Sequence, residues 1–421
     1  MSDIFTPLTL PNGQVIKNRL CKAAMEENMA EAGQLPGPAL FNLYKAWADG
    51  GAGLILTGNV MIDPTAMTGP GGVVLEHGMF ADAAVEKRFR EWSTISKSGG
   101  GKIYMQISHP GRQVYASQGT EPVSASATKV TLPGPAENMF TESRALTGDE
   151  VLGLIKRFSD TAALAERSGF DGVEIHAAHG YLVAQFLSPL TNLREDKWGG
   201  SLENRARFLL EIVRAIRERV EPSFGVSIKL NSADFQKGGF ELADAKQVVE
   251  WLGLLDVDFV ELSGGSYESA AMMGMSDDTR AQSTQDREMY FVDFAKDILA
   301  SANMPIMVTG GVTKMESADY ALSQGVSIVG IARAFGFNPN LAKDWQAGKN
   351  THVKITTASW KNKALFGLAN MALTKEQLYR LGDGLDIKSK QNALFATIRQ
   401  QLRTMSQTKR YQAWLKQRGL F

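Results

Sequence analysis

The sequence predicts an α/β protein of the (β/α)8 TIM-barrel class with a helical C-terminal extension. Three observations predict it. Eight short apolar runs recur between residues 19 and 348, amphipathic helical patterns lie between them, and G-x-G-x-x-G occurs nowhere. Near-continuous hydrophobicity over strand length means burial on both faces, as in a parallel sheet covered by helices. An open doubly wound sheet is the rival, but it would carry a dinucleotide fingerprint near its start. Eight strand–helix units instead close into a barrel.

The first runs are RLCKAAM (19–25), GLILTGN (53–59) and KIYMQIS (102–108). GDEVLGLIKRFSDTAALAERSG then spaces Val151, Ile155, Phe158, Ala162 and Ala165 three and four apart, the period of a helix face. GVEIHAA (172–178) follows, then SLENRARFLLEIVRAIRERV. That segment opens like a capping box at Ser201 and Asn204, and its apolar face is Leu209, Ile212, Val213 and Ile216. GVSIKLN (225–231), DFVELSG (258–264), PIMVTGG (305–311) and SIVGIAR (327–333) complete the strands, with ELADAKQVVEWLGLL and KMESADYALSQG as further helices. The expected boundary puts the barrel at 1–348 and a basic helical extension at 349–421. In that extension Leu394, Ile398, Leu402 and Met405 share one face, which predicts packing on the barrel or on a neighbouring subunit.

Composition narrows the function classes. With 44% apolar and 21% charged residues the 421-residue chain reads as an ordinary folded protein. No apolar run approaches the ~18 residues of a membrane span. MSDIFTPLTL lacks a basic stretch followed by an apolar one, so no secretory leader is expected. The single cysteine, Cys21, excludes disulfides within the chain, cysteine-ligated zinc fingers and cysteine-held iron–sulfur clusters. A cytoplasmic location fits, with small molecules as partners rather than nucleic acid or membrane. Net charge is zero, yet residues 350–421 hold 13 Lys or Arg against 3 Asp or Glu. Such a tail can meet phosphates, an acidic partner or a membrane surface; the reading preferred here is a solvated outer helix face.

In this fold the chemistry sits at the C-terminal strand ends. The polar residues there are Glu26, Asn59, Gln106, His109, His176, His179, Lys229, Asn231, Ser263 and Arg333, with Gly310 and Gly311. Gln106 can donate and accept along a flat heterocyclic edge. Lys229 suits a ring position where negative charge develops. Gly310 and Gly311 let backbone N–H groups approach a phosphate that Arg333 can grip twice, after the two strands where barrels often hold phosphate. A phosphorylated heterocycle is implied.

The chain resembles the old yellow enzyme family of FMN-dependent ene-reductases. KNRLCKAAM, GLILTG, MQISHPGR, GFDGVEIHAAHGYLVAQFLSPLTNLREDKWGGSLENRARF, IKLNSADF, MVTGG and VGIARAFGFNP carry the resemblance, across roughly residues 3–348. It implies non-covalent FMN over Ala24, Met25, Glu26, Asn59 and Gln106. Lys229 would lie near the N1/O2 edge, and the phosphate at Gly310, Gly311, Ala332 and Arg333. NADH or NADPH would be the reductant. His176 and His179 would hold the oxygen of an enone, nitro compound or phenol. Hydride would pass from flavin N5 to the β-carbon, and Tyr181 would protonate the α-carbon.

Glu26 departs from this pattern, standing where relatives usually carry Thr, Ser or Cys. Ala24 replaces a common Pro, and Glu27 and Asn28 stand where an aromatic pocket wall can arise. Three other readings compete. His176, His179 and His109 have the makings of a metal site. Lys229 could serve an aldolase-type lyase as a Schiff-base lysine. The protein could also bind planar ligands on a flavin with little turnover. A homo-oligomer is left open.

Overall fold

Each expected apolar run becomes a strand, and the eight strands are parallel neighbours in one closed ring. The computed structural model describes residues 3–132, 137–264, 268, 295–360 and 363–421, except the side chains of 363 and 364. We label the strands β1 (Leu20–Lys22), β2 (Leu54–Leu56), β3 (Lys102–Ser108), β4 (Gly172–Ala177), β5 (Gly225–Asn231), β6 (Phe259–Ser263), β7 (Ile306–Thr309) and β8 (Ile328–Ile331). Register is continuous around the ring, with Glu174 opposite Gln106, His176 opposite Lys229, and Lys229 opposite Glu261. Val329 opposite Leu20 completes the circuit.

The helices of the outer layer are α1 (Pro38–Asp49), α2 (Ala83–Ser96), α3 (Gly148–Arg167), α4 (Leu182–Leu187), α5 (Leu202–Arg217), α6 (Leu242–Leu252) and α7 (Met315–Ser323). A helical stretch at 295–299 lies between the last two. Short helices α8 (Arg333–Phe337) and α9 (Leu341–Gln346) follow β8. All nine apolar residues expected to face inward on α3 and α5 are buried. Both helices are capped at their start: Thr147 and Glu150 form a reciprocal capping box, and Ser201 accepts from the Asn204 N–H.

Inside the ring, Cys21, Leu54, Leu56, Tyr104, Phe259, Met307 and Ile328 form an apolar plug, closed below by Leu10 and Ile16 at the hairpin of residues 8–16. Tyr104 explains two glycines. A Cβ on Gly225 would lie 1.9 Å from its hydroxyl, and one on Gly172 2.6 Å from its ring. Above this plug the inward positions turn polar, and the site begins there.

The extension forms α10 (Lys363–Gly382) and α11 (Ala393–Gln417), which pack on each other, while α10 also packs on α1 and α8. On the barrel, α11 packs through a face other than its apolar stripe. Leu394, Ile398, Leu402 and Met405 are 54, 46, 62 and 59% exposed, so they do not meet the barrel. Ala396, Gln407, Tyr411 and Leu415 do the burying instead. Of the two expected contacts, this exposure excludes the barrel for the stripe and not a neighbouring subunit. The true contact uses amphipathic side chains, with the Tyr411 hydroxyl donating to Pro64 O at 2.7 Å. No described helix is long and apolar enough to cross a membrane.

Candidate active site

The turn after β4 aims the histidine pair. His179 has φ 60°, a strained conformation for a non-glycine residue, and Gly180 follows at φ 72°. Two neighbours hold it: Asn231 Oδ1 accepts from His179 N at 3.1 Å, and Gln113 Nε2 donates to His179 O at 3.0 Å. The kinked turn folds the second imidazole back over the first. His176 Nε2 and His179 Nδ1 lie 3.0 Å apart, and His179 Nε2 lies 2.8 Å from Ser263 Oγ. A polar chain thus crosses the mouth of the barrel from Ser108 on β3 to Ser263 on β6. The Tyr181 ring packs edge-on against His176, centroids 4.6 Å apart.

Burial decides the charge of these rings. Desolvation, with His179 and Lys229 nearby, holds His176 well below the usual imidazole value. Desolvation and Lys229 bring His179 down to about 3. Both are neutral at pH 7, so each nitrogen pair has one donor and one acceptor. At 3.0 Å the two facing nitrogens share one N–H···N bond, which a ligand oxygen must open to accept from each. Both must then carry their proton on the facing atom, and His179 Nε2 accepts from the Ser263 hydroxyl. His109 lies elsewhere in the chemistry: its Nδ1 accepts from Gly111 N at 3.0 Å, and burial brings its pKa to about 4. Among the described residues no cluster of three or more His, Cys, Asp or Glu could hold a metal ion.

Below the histidines lies a fully buried polar layer. Gln106 Nε2 donates to Glu174 Oε2 at 2.6 Å, and Lys229 Nζ to Glu261 Oε1 at 2.7 Å. Burial alone would lower the Lys229 pKa, but Glu261 and Glu174 outweigh it and hold the group above the usual lysine value. Lys229 is therefore an ammonium ion. A Schiff-base lysine must be neutral to attack a carbonyl, so the aldolase-type reading loses its nucleophile.

The loop after β1 carries Ala24, Met25 and Glu26 to the same rim. Glu26 Oε1 accepts from Asn59 Nδ2 at 3.0 Å and from the Thr68 hydroxyl. Asn59 Oδ1 is left buried without a partner. Glu27 borders a small cavity together with Glu26, Asn28 and Asn59. It turns inward beside Lys22 at 3.9 Å and accepts from the Tyr44 hydroxyl at 2.7 Å and from Gly58 N at 3.2 Å. Asn28 is left-handed, φ 53°, and the extension fastens it. Gln407 Nε2 and the Tyr379 hydroxyl both donate to its carbonyl, at 2.6 and 2.8 Å, and Lys375 reaches its side chain.

The remaining expected residues meet on the far side of the rim. Thr309 opposite Gly330 sets the ends of β7 and β8 side by side, so Gly310 and Gly311 adjoin Ala332 and Arg333. Gly311 has φ 53°, and Arg333 is exposed at the first position of α8 with no acidic partner among the described residues. A guanidinium with no acidic partner among the described residues, beside a glycine turn, is an anion-binding donor set. With the uncommitted amide atoms of Gln106, the ammonium of Lys229 and the orphaned Asn59 Oδ1, it fits a phosphorylated heterocycle.

Sequence reasoning missed Glu174, Glu261, Lys375, Tyr379 and Gln407. The two carboxylates left a signal, since each interrupts an apolar run at an inward strand position. The three residues of the extension left none, because their neighbours lie some 350 positions away in sequence, as Gln407 and Asn28 do at a separation of 379.

A family model described as NADH:flavin oxidoreductase / NADH oxidase family matches residues 3–352. Among curated proteins, the NADH-dependent flavin oxidoreductase iliE of Hypocrea jecorina is 36% identical over 351 residues, 80% of this chain and 87% of that protein. The NADH oxidase of Thermoanaerobacter brockii is 33% identical, over 81% of this chain and 50% of that protein. Among solved structures, the old yellow enzyme homologue from Zymomonas mobilis superposes with a TM-score of 0.68 at 25% identity, covering 82% of this chain and 92% of its own. Morphinone reductase in complex with tetrahydroNAD gives 0.67 at 26%, covering 82% and 90%.

Proposed function

The chain belongs to the NADH:flavin oxidoreductase / NADH oxidase family and is an FMN-dependent NAD(P)H oxidoreductase; from that premise we propose that it reduces the activated C=C bond of α,β-unsaturated carbonyl or nitro compounds. Bound FMN supplies the hydride, drawn from the nicotinamide. Gln106, Asn59, Lys229 and the backbone at Ala24 and Met25 bind its ring, with Glu26 fixing Asn59. Gly310, Gly311, Ala332 and Arg333 hold its phosphate.

One observation carries the reading: the paired neutral imidazoles, nitrogens 3.0 Å apart, with a buried tyrosine against them. Neutral donors suit a carbonyl or nitro oxygen that gains charge only as the reaction proceeds, since their bonds strengthen in step with that charge. A cationic pair would bind anions in the ground state instead. Tyr181, at 4% exposure, is shielded from bulk water and serves as the proton donor to the α-carbon. The barrel at 1–348 supplies the chemistry, and the extension at 349–421 braces its rim.

The test separates binding from proton transfer. His176→Ala and His179→Ala should each weaken phenol binding roughly tenfold or more, the worth of a buried hydrogen bond. Tyr181→Phe should slow alkene reduction while the nicotinamide half-reaction keeps its rate. Equal slowing of both half-reactions would remove Tyr181 from its role. Parent-like phenol affinity in both histidine variants would do the same for the pair. A flavoprotein that merely binds planar ligands would show no sustained NAD(P)H oxidation with cyclohexenone.

A further inference from the structure

The buried layer under the site holds two carboxylates and one cation. Glu174 on β4 and Glu261 on β6 are fully buried and lie within hydrogen-bonding reach of each other. Lys229 Nζ serves Glu261 Oε1, and Gln106 Nε2 serves Glu174 Oε2. The other oxygen of each, Glu174 Oε1 and Glu261 Oε2, is buried and has no hydrogen-bond partner. Two ionised carboxylates side by side would leave one negative charge uncompensated, and beyond the Thr309 hydroxyl beside Glu261 the described residues offer their free oxygens no donor. A single proton between them removes both defects.

We propose that Glu174 and Glu261 share one proton, so that Glu174, Glu261 and Lys229 form a neutral cluster that fixes the Gln106 amide. In the resting arrangement Glu174 is the acid and Glu261 the carboxylate paired with Lys229. The directions agree. Burial and then Glu261 push Glu174 well above the carboxylate range, while Lys229 overcomes burial and keeps Glu261 below it. The other groups near the pair are the Cys21 thiol on β1, whose own pKa is raised well up by burial, Thr309 on β7, and at longer range Lys22 on β1, whose charge Glu27 offsets. The thiol and the hydroxyl are uncharged at neutral pH.

Glu174 then acts as a positioning residue. It commits one N–H of Gln106 and fixes the plane of the amide, leaving Oε1 and the second N–H for a ligand edge. The cluster also sets the charge below that ligand at zero. The inference rests on the reading that Gln106 and Lys229 face the flavin ring.

Neutrality makes an unusual forecast. In Glu174→Gln the pair Lys229–Glu261 is still neutral. In Glu261→Gln, Glu174 ionises and pairs with Lys229, which is again neutral. Only the double variant strands the ammonium. The flavin midpoint potential of the holoenzyme should therefore stay near the parent value in each single variant and rise in the double. The double shift should exceed the sum of the singles several-fold. Equal rises in the singles that add up in the double would overturn the proposal, because that is the behaviour of two independent carboxylates. Infrared spectra of the same proteins give a reading independent of the flavin. The parent should show a carboxylic-acid C=O band that shifts in D2O and vanishes in either single variant. Its absence from the parent overturns the proposal even if no variant folds. A parent with the band but no flavin uptake would instead fault the cofactor reading.

Discussion

Lys22 shows how one side chain can be both a structural cation and a liability. It is fully buried, donates to Leu56 O at 2.8 Å, and lies 4.0 Å above the Trp47 ring. Burial brings its pKa to about 8 despite Glu27. Breaking such a pair strands a charge, at about 3–5 kcal/mol, whereas replacing both partners is far milder. Glu27→Gln should therefore lower the free energy of urea unfolding by about 3 kcal/mol, and Lys22→Met/Glu27→Gln should recover most of that. Additive losses would show that the two do not act as a pair. Acid stability draws on three buried neutral histidines, His109, His176 and His179, of which His109 stands apart from the site. His109 sits at about 4 in the fold against 6.5 when unfolded. Between those values the unfolded chain holds a proton that the folded chain lacks, so stability falls as pH drops through 6.5 towards 4. At about 1.4 kcal/mol per unit this reaches roughly 3 kcal/mol. His109→Asn keeps an acceptor for Gly111 N and should make the acid limb of a denaturation series shallower by its own share, leaving that of His176 and His179. An unchanged slope would assign the acid loss to other groups.

At the scale of elements, β4 and β5 show why the barrel tolerates no extra volume. A methyl on Gly225 would lie 1.9 Å from the Tyr104 hydroxyl and 2.1 Å from its ring. Gly225→Ala should cost more than the ~1–3 kcal/mol typical of overpacking, and pairing it with Tyr104→Leu should restore part of the loss, read by thermal melts. The strands were legible because burial on both faces writes itself as an apolar run, and the rim residues because function places polar side chains at those run ends. His176 and Lys229 could be singled out that way. The role of Glu27 could not: from the sequence it is one of two adjacent acids, and only the fold turns it inward to Lys22 while Glu26 stays on the rim. The face of α11 that meets the barrel escaped the sequence for a related reason. Apolar periodicity reports a stripe, but the stripe that packs is chosen by what the barrel offers, here carbonyls at Asn28 and Pro64.

For the whole molecule, the extension and barrel are one mechanical unit. Donors from α10 and α11 converge on the carbonyl of left-handed Asn28, two residues from Glu26. Deleting residues 389–421 removes the Gln407 bond and exposes the cluster that Tyr411 and Leu415 bury over Met61, Met67 and Val74. The truncated protein should melt at lower temperature and bind phenol more weakly. Parent-like values for both would show that the rim needs no brace. The central claim concerns what the complete site does, and one anaerobic experiment addresses it. The FMN-loaded protein is reduced with one equivalent of NADH or NADPH, freed of nicotinamide, and mixed with cyclohexenone. The account predicts return of the oxidised flavin absorbance with an equal amount of cyclohexanone. A flavin that stays reduced until air is admitted would contradict it.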